Sequence, residues 1–298
     1  MTPADTDPAR LRSVAETLVA EAAAFVRSRR AEVFGAAMGS EGGPRTGWVR
    51  SKTTPTDPVT VVDTDSERLL RDRLAQVRPG EPILGEEGGG PADAKAELSG
   101  LSGPAGTVTW VLDPIDGTVN FIYGIPAYAV SVAAQVDGVS VAGAVADVVA
   151  GAVYSAARGL GAHVTDEQGT RPLHCTAVDD LSMALLGTGF GYSKRRRAIQ
   201  AELVARMLPV VRDVRRIGSA ALDMCMVAAG RLDAYYEHGL QAWDCAAGAL
   251  IAAEAGARVL LPPRDVDGAG LVVVAAPGIA DELFAALDRF NGLEPILD

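Results

Sequence analysis

Leu11, Val14, Leu18, Ala22, Phe25 and Val26 recur at helical spacing and predict a long amphipathic helix over 9–38. The glycine-rich run 39–47 reads as a loop. A second helix is predicted from Ser66 to Val77, stopped by Pro79-Gly80. Ile83-Leu84 reads as a short strand leading into Gly85-Glu86-Glu87, and 88–106, rich in Gly, Ala and Pro, as a surface loop. From Val108 to about His174 the apolar period changes to two, with turn signals at Asp137-Gly138, Arg158-Gly159 and Gln168-Gly169, the pattern of an antiparallel meander. Beyond it come a strand near Ala184–Thr188, helices near Ala198–Leu208 and Ala220–Ala229, and a strand at Leu232–Tyr236. A helix from Trp243 or Asp244 to Ala255, strands at Val259–Leu261 and Leu271–Ala275, and a helix from about Ile279 to Phe290 complete the pattern.

Helices interleaved with mixed and antiparallel sheets predict an α/β (α+β) fold built as a layered sandwich. The Asp-, Thr- and Pro-rich residues 1–8 read as a disordered N-terminus, and 9–295 as one domain. Within it, 9–175 carries the large sheet and 176–295 forms a second α/β half.

Composition narrows the function classes. The chain has 298 residues, 48% hydrophobic and 22% charged, as in a soluble globular protein. The longest low-polarity run, Tyr128 to Ala157, is broken by Gln135, Asp137, Gly138, Ser140 and Asp147, so no membrane span is expected. No secretory signal is visible, and a cytoplasmic location is expected. Three scattered cysteines, Cys175, Cys225 and Cys245, then read as reduced, and the three histidines form no ligand cluster of the zinc kind. A net charge of −11 argues against nucleic acid or an acidic membrane as partner. An acidic protein that binds a phosphorylated small molecule needs cations at the site, which points to a metal as the electrostatic bridge.

The candidate chemistry centres on Trp110-Val-Leu-Asp113-Pro-Ile115-Asp116-Gly117-Thr118-Val-Asn-Phe121. A buried-type strand runs into two aspartates, which suit a hard divalent cation, followed by backbone N–H groups at a possible helix start, which suit an anion. On those residues alone an ordinary strand-ending turn fits as well. Three more acidic motifs share the design: Asp63 after Lys52-Thr-Thr-Pro-Thr-Asp-Pro-Val-Thr60, Glu86-Glu87 after a short strand, and Asp244 in Trp243-Asp-Cys-Ala-Ala-Gly248. Singly, Asp63 and Asp244 read equally well as helix N-caps and Glu86-Glu87 as a solvated turn. Together they offer the oxygen ligands that two Mg²⁺ ions would need to activate a water and stabilise a leaving oxygen.

These motifs, in this order, resemble those of the inositol monophosphatase family, within the Mg²⁺-dependent, Li⁺-sensitive phosphatase superfamily that includes fructose-1,6-bisphosphatase. Gly218-Ser219-Ala220-Ala221 and Asp233-Ala-Tyr-Tyr-Glu237, seven residues before Asp244, extend the resemblance, which runs from about residue 10 to 290. It implies the αβαβα sandwich of the sugar phosphatases. It implies a first Mg²⁺ on Glu86, Asp113 and the Ile115 carbonyl, and a second on Asp113, Asp116 and Asp244. A third, weaker ion would lie near Glu86, helped through water by Asp63, with Mn²⁺ a possible substitute. Thr118 with Glu86 would orient the attacking water, and the Gly117 and Thr118 amides would bind phosphate. Glu237 would hydrogen-bond sugar hydroxyls in a pocket lined by the Ser219–Ala220 backbone, and Lys52 matches a family lysine near the metals. Li⁺ inhibition and a homodimer are implied as well.

The expected reaction is hydrolysis of inositol 1-phosphate or a related polyol phosphate. Fructose 1,6-bisphosphate, 3′-phosphoadenosine 5′-phosphate and histidinol phosphate are alternative substrates within the superfamily. A regulatory protein that keeps the fold, and a Ca²⁺-binding structural module, are rivals of other classes. The first should have lost a metal acid and the second should have contiguous ligands, and neither holds here. Lys194-Arg-Arg-Arg197 reads either as a solvated helix start or as a clamp for a second phosphate.

Overall fold

The computed structural model describes residues 6–34, 49–52, 58–90, 106–262 and 269–297. Helix α1 (Pro8–Phe34) buries Leu11, Ala15, Leu18, Ala22 and Val26 along one stripe, as the spacing predicts. Asp7 accepts from the Ala9 N–H (3.1 Å), and Pro8 fills the first helical position, where its missing N–H costs nothing. The helix therefore starts inside the expected disordered tail. Its predicted end at 38 and the loop 39–47 lie outside the described residues, as does most of the loop 88–106.

Strands β1 (Val49–Ser51) and β2 (Pro58–Thr60) pair antiparallel and are too short to show a period in sequence. The chain passes from β2 directly into α2 (Val61–Val77), five residues before the predicted start. Thr60 is the N-cap and Asp63 the third helical residue: the Thr60 hydroxyl accepts from the Val62 N–H (3.1 Å), and the Asp63 carboxylate accepts from the Thr60 N–H (3.0 Å). This capping box corrects the reading of Asp63 as the cap.

Strand β3 (Ile83–Gly85) lies parallel to β4 (Val108–Asp116). A six-residue helix, α3 (Thr118–Tyr123), precedes β5 (Ala129–Val136), β6 (Val139–Asp147), β7 (Ala152–Ala157), β8 (Ala162–Asp166) and β9 (Gly169–Pro172). From β4 to β9 the strands form the predicted antiparallel meander, giving a seven-stranded sheet in the order β3-β4-β5-β6-β7-β8-β9. The second half contains β10 (Leu185–Thr188), α4 (Lys194–Met207), β11 (Asp213–Arg215), α5 (Ala220–Ala228) and β12 (Ala234–His238). It continues through α6 (Ala242–Glu254), β13 (Arg258–Leu260), β14 (Leu271–Ala275) and α7 (Ala280–Arg289). Its sheet, ordered β11-β10-β12-β14-β13, is mixed: β10 is parallel to both neighbours, whereas β14 is antiparallel to β12 and β13.

Side-chain alternation sets the layers. Trp110, Leu112, Val130, Val132 and Ala144 pack against α1 and α2, while Val111, Ala133 and Val145 on the opposite face meet α5 and α6. Those two helices also receive Tyr235, Val272 and Val274 from the smaller sheet, whose other face sends Leu186, Tyr236 and Val273 toward α4 and α7. The order is helix, sheet, helix, sheet, helix. Helix α6 is buried on all sides from Cys245 to Ala252, and small residues let it in: a Cβ on Gly143 would come within 3.1 Å of Ala247. Among the described residues no helix is long and apolar enough to cross a membrane.

Candidate active site

Residues three apart on a regular strand point to opposite faces, yet Asp113 and Asp116 share a site. The cause is a register shift. Asp113 pairs with Ser131 and Asp116 with Ala129, so β4 carries one extra residue against β5 and both acids turn to one side. Gly117 follows in the left-handed conformation (φ 94°), where a Cβ would lie 2.9 Å from the Gly218 carbonyl oxygen and 3.0 Å from that of Ala127. Thr118 then opens α3. Its buried hydroxyl lies 3.1 Å from Asp63 Oδ1 and 3.0 Å from the Ile115 carbonyl oxygen. Asp63 therefore reaches across from α2 to hold Thr118.

Glu86 stands on the turn after β3, with Lys52 Nζ 2.6 Å from its Oε1 and 2.5 Å from Glu87 Oε1. The turn is shaped by Glu67, a buried α2 residue that sequence reasoning passed over. Its carboxylate accepts from the N–H groups of Glu87 (2.7 Å) and Gly88 (2.8 Å), and from Arg71 (2.7 Å). Glu67→Gln places an amide NH₂ against donors that need an acceptor, at a cost of about 1.5–3 kcal/mol per lost charge-assisted bond. A several-fold rise in the Mg²⁺ concentration giving half-maximal rate, with a lower melting midpoint, is the expected result; a titration unchanged from wild type would deny Glu67 this role.

Asp116 is fixed from the second half of the chain, accepting from Ser219 Oγ (2.6 Å) and the Ala221 N–H (2.7 Å) at the start of α5. Asp244 is the third residue of α6. Its Oδ2 accepts from the N–H of Gln241, the true N-cap, at 2.7 Å, which corrects the reading of Asp244 as a cap. Glu237 is the penultimate residue of β12 and accepts from Tyr235 OH at 2.5 Å. A Cβ on Gly189, at the end of β10, would overlap the Glu237 carboxylate, so the glycine makes the space that Glu237 fills. Ala220 lies buried beside Ser219 at the same helix start.

The charge balance is one-sided. Burial raises the Asp113 carboxyl well above its ordinary value, helped by the charges of Glu86, Asp116 and Asp244. Asp244 is raised well above its ordinary value by burial and by Glu86 and Asp116; Asp116 is raised by burial against the hydrogen bonds from Ser219 and Ala221. Burial pushes Asp63 and Glu237 up to about 7. Glu86, raised by burial against the pull of Lys52, shares a hydrogen bond with Asp113. Among the described residues no three His, Cys, Asp or Glu side chains form a ready-made metal position. The donor set still fits a hard divalent cation: all ligating groups are oxygens, and Asp113, Asp116, Asp244 and Glu86 repel one another.

The basic run separates. Ser193 caps α4, whose first turn is Lys194 to Arg197, and Arg195 donates to the Leu297 carbonyl (2.7 Å). Arg196 alone is buried, threading past Gly191 and Gly239 on the side of Glu237. The run is a helix start, and three arginines do not gather into a clamp.

Residues 7–292 match the inositol monophosphatase family. The chain is similar to inositol-1-monophosphatase SuhB of Mycobacterium tuberculosis (strain ATCC 25618 / H37Rv), with 75% identity over 299 residues and 100% of each chain covered. Inositol-1-monophosphatase of Mycobacterium leprae (strain TN) is 76% identical over 300 residues, again with 100% of each covered. The solved structure of Mycobacterium tuberculosis SuhB superposes with a TM-score of 0.80 at 68% identity, covering 97% of this chain and 100% of that one. With the acid motifs gathered at one site in this α/β fold, the chain belongs to the inositol monophosphatase family of phosphoric monoester hydrolases.

Proposed function

We propose that the chain hydrolyses inositol 1-phosphate, or a closely related polyol phosphate, to alcohol and inorganic phosphate with Mg²⁺ as cofactor. The observation that carries the reading is the meeting of Asp113, Asp116 and Asp244 with Glu86 on one side and Glu237 on the other, each within electrostatic reach of the next. Curated relatives three-quarters identical over their whole length are inositol-1-monophosphatases, which supports inositol 1-phosphate as the substrate.

Glu86, Asp113, the Ile115 carbonyl, Asp116 and Asp244 would hold two ions, and Asp63 would help a third through water. When bound, Mg²⁺ supplies phosphate-charge stabilisation and acidifies the attacking water, and Mn²⁺ suits the same oxygen donors. The Thr118 hydroxyl, donating toward Asp63 or Ile115, keeps its lone pairs free to accept from that water, and Glu86 orients it from the other side. The Gly117 and Thr118 N–H groups donate to phosphate oxygens. Glu237, fixed by Tyr235, accepts from a hydroxyl of the leaving alcohol, and the Ser219–Ala220 backbone lines the pocket beside it. With Arg195 tied to the C-terminal segment, a monophosphate suits the site better than a bisphosphate. A homodimer, sensitivity to Li⁺ and a cytoplasmic location complete the proposal on the strength of the family resemblance.

Phosphate release from inositol, sugar, nucleotide and histidinol phosphates, with Mg²⁺ and with added Li⁺, tests the reading. Inositol 1-phosphate should lead the panel and Li⁺ should suppress turnover. Glu237→Gln should reduce kcat/KM for polyol phosphates about tenfold or more, the value of a charged hydrogen bond, and leave a simple aryl phosphate nearly unchanged. Equal losses on both would count against the sugar role.

A further inference from the structure

The alcohol side of the site has acceptors in excess. Glu237, Asp223 and Asp116 lie within electrostatic reach of one another there, and Asp223 Oδ1 is buried without a hydrogen-bond partner among the described residues. A polyol hydroxyl both donates and accepts, so carboxylates alone can satisfy only half of it. Arg216 supplies donors. It follows β11 on the way to α5, and its charge reaches Glu237, Asp223 and Asp116.

Its position is built by the backbone. A Cβ on Gly218 (φ +96°) would collide with an Arg216 guanidinium nitrogen and lie 2.7 Å from Asn120 Nδ2, so the side chain folds across a residue that must be glycine. The Gly218 carbonyl in turn touches Gly117 on the phosphate turn. Asn120 secures this segment by donating to the carbonyls of Ala127 (2.7 Å) and Ile217 (2.9 Å). Arg216 is exposed and, among the described residues, makes no hydrogen bond or ion pair within 4 Å, whereas its neighbour Arg215 is held by Asp213 at 2.6 Å. Lys52, the cation at the metal side, is occupied by Glu86 and Glu87.

We propose that Arg216 is a substrate-binding residue that works with Glu237 to read adjacent hydroxyl groups of the alcohol, its planar fork donating where Glu237 accepts. This rests on the polyol phosphatase reading above and extends it to a donor–acceptor pair for vicinal diols.

Steady-state kinetics of the full-length protein on inositol 1-phosphate and on 4-nitrophenyl phosphate, which has no hydroxyls, test the pair. Arg216→Ala should raise KM for inositol 1-phosphate about tenfold to a hundredfold and leave KM for the aryl ester within about threefold, since only one substrate loses a charge-assisted bond. Arg216→Lys, which keeps the charge without the fork, should recover only part of the loss. Arg216→Ala combined with Glu237→Gln should lose less than the sum of the single losses, because both act on one diol. Equal losses on the two substrates, no loss on inositol 1-phosphate, or full rescue by lysine would each overturn the pairing. A wild-type protein that cleaves the aryl ester and no polyol phosphate would overturn the substrate reading itself; a wild-type preference for inositol 1-phosphate that Arg216→Ala leaves intact overturns only the role of Arg216.

Discussion

Asp113→Asn is expected to abolish Mg²⁺-dependent phosphate release and to raise the melting midpoint of the metal-free protein. The two outcomes have one cause. Asp113 is only 1% exposed and sits among Glu86, Asp116 and Asp244, so its charge is the one the cluster most needs a cation to offset. An asparagine keeps the shape and the acceptor for the Ile115 N–H, which Asp113 Oδ1 meets at 3.0 Å, and removes the charge. The rate should fall on the order of a thousandfold or more, as when a preorganised charge partner is lost from a dry site. The sign of the stability effect follows from linkage. Asp63 and Glu237 titrate near 7 in the folded chain and at 3.8 and 4.5 in the unfolded reference. The folded state therefore holds protons that the unfolded chain has released. Stability tied to these groups is present in full below the unfolded values and is lost as pH rises through about 7. Metal-free wild type should melt at lower temperature at pH 8 than at pH 5, and Mg²⁺ should reverse that; Asp113→Asn, which keeps Asp63 and Glu237, should retain the pH trend but respond weakly to Mg²⁺. Melting curves at the two pH values with and without Mg²⁺ check this; a variant that keeps turnover, or melts below wild type at pH 8, would remove Asp113 from the centre of the site.

Gly117→Ala should be nearly as damaging, by a different route. The residue needs positive φ, and an added methyl would meet two backbone oxygens, those of Gly218 at 2.9 Å and Ala127 at 3.0 Å. Neither can swing aside as a side chain could. The conformational term alone costs on the order of 1–3 kcal/mol. Relief by moving the turn would shift the Gly117 and Thr118 amides and the Thr118 hydroxyl, so KM and kcat should both worsen, by about a hundredfold in kcat/KM for a displacement near 1 Å. Circular dichroism should still report the fold. If Gly117→Ala retains wild-type kcat/KM, the turn is not what positions the phosphate.

How much of this was visible in the sequence depends on the length scale of each signal. The meander, the long first helix and the small-residue helices α5 and α6 declare themselves through periodicity over many residues. The strands β1, β2 and β11, of three residues each, have no room for a period. Helices start ahead of the apolar pattern where the cap lies upstream of it: Thr60 caps α2 before Ser66, and Ser193 caps α4 before Ala198. Asp113, Asp116, Glu86 and Asp244 stand out because each closes or follows a strand, or opens a helix, within a recognisable motif. Their support does not. Glu67 sits mid-helix and acts on a turn 20 residues away, and Arg216 differs from Arg215 only in where the backbone sends it. The bulge that turns Asp113 and Asp116 to one side is equally silent in sequence, because it is a property of the pairing with β5.

The five-layer order divides the labour in a way that bears on how such a protein can change. Glu86, Asp113, Asp116 and Thr118 belong to β3, β4 and the turns that follow them in the larger sheet, while Gly189 follows β10 and Glu237 lies near the end of β12 in the smaller one and Arg216 follows its edge strand. Helices α5 and α6 clamp the two together, with Ala221 holding Asp116 and the start of α6 holding Asp244. On the roles proposed above, drift in the smaller sheet can exchange the leaving alcohol while the hydrolytic centre is preserved. A change such as Gly143→Leu, far from any substrate but under Ala247, would instead tilt the clamp and silence every substrate alike.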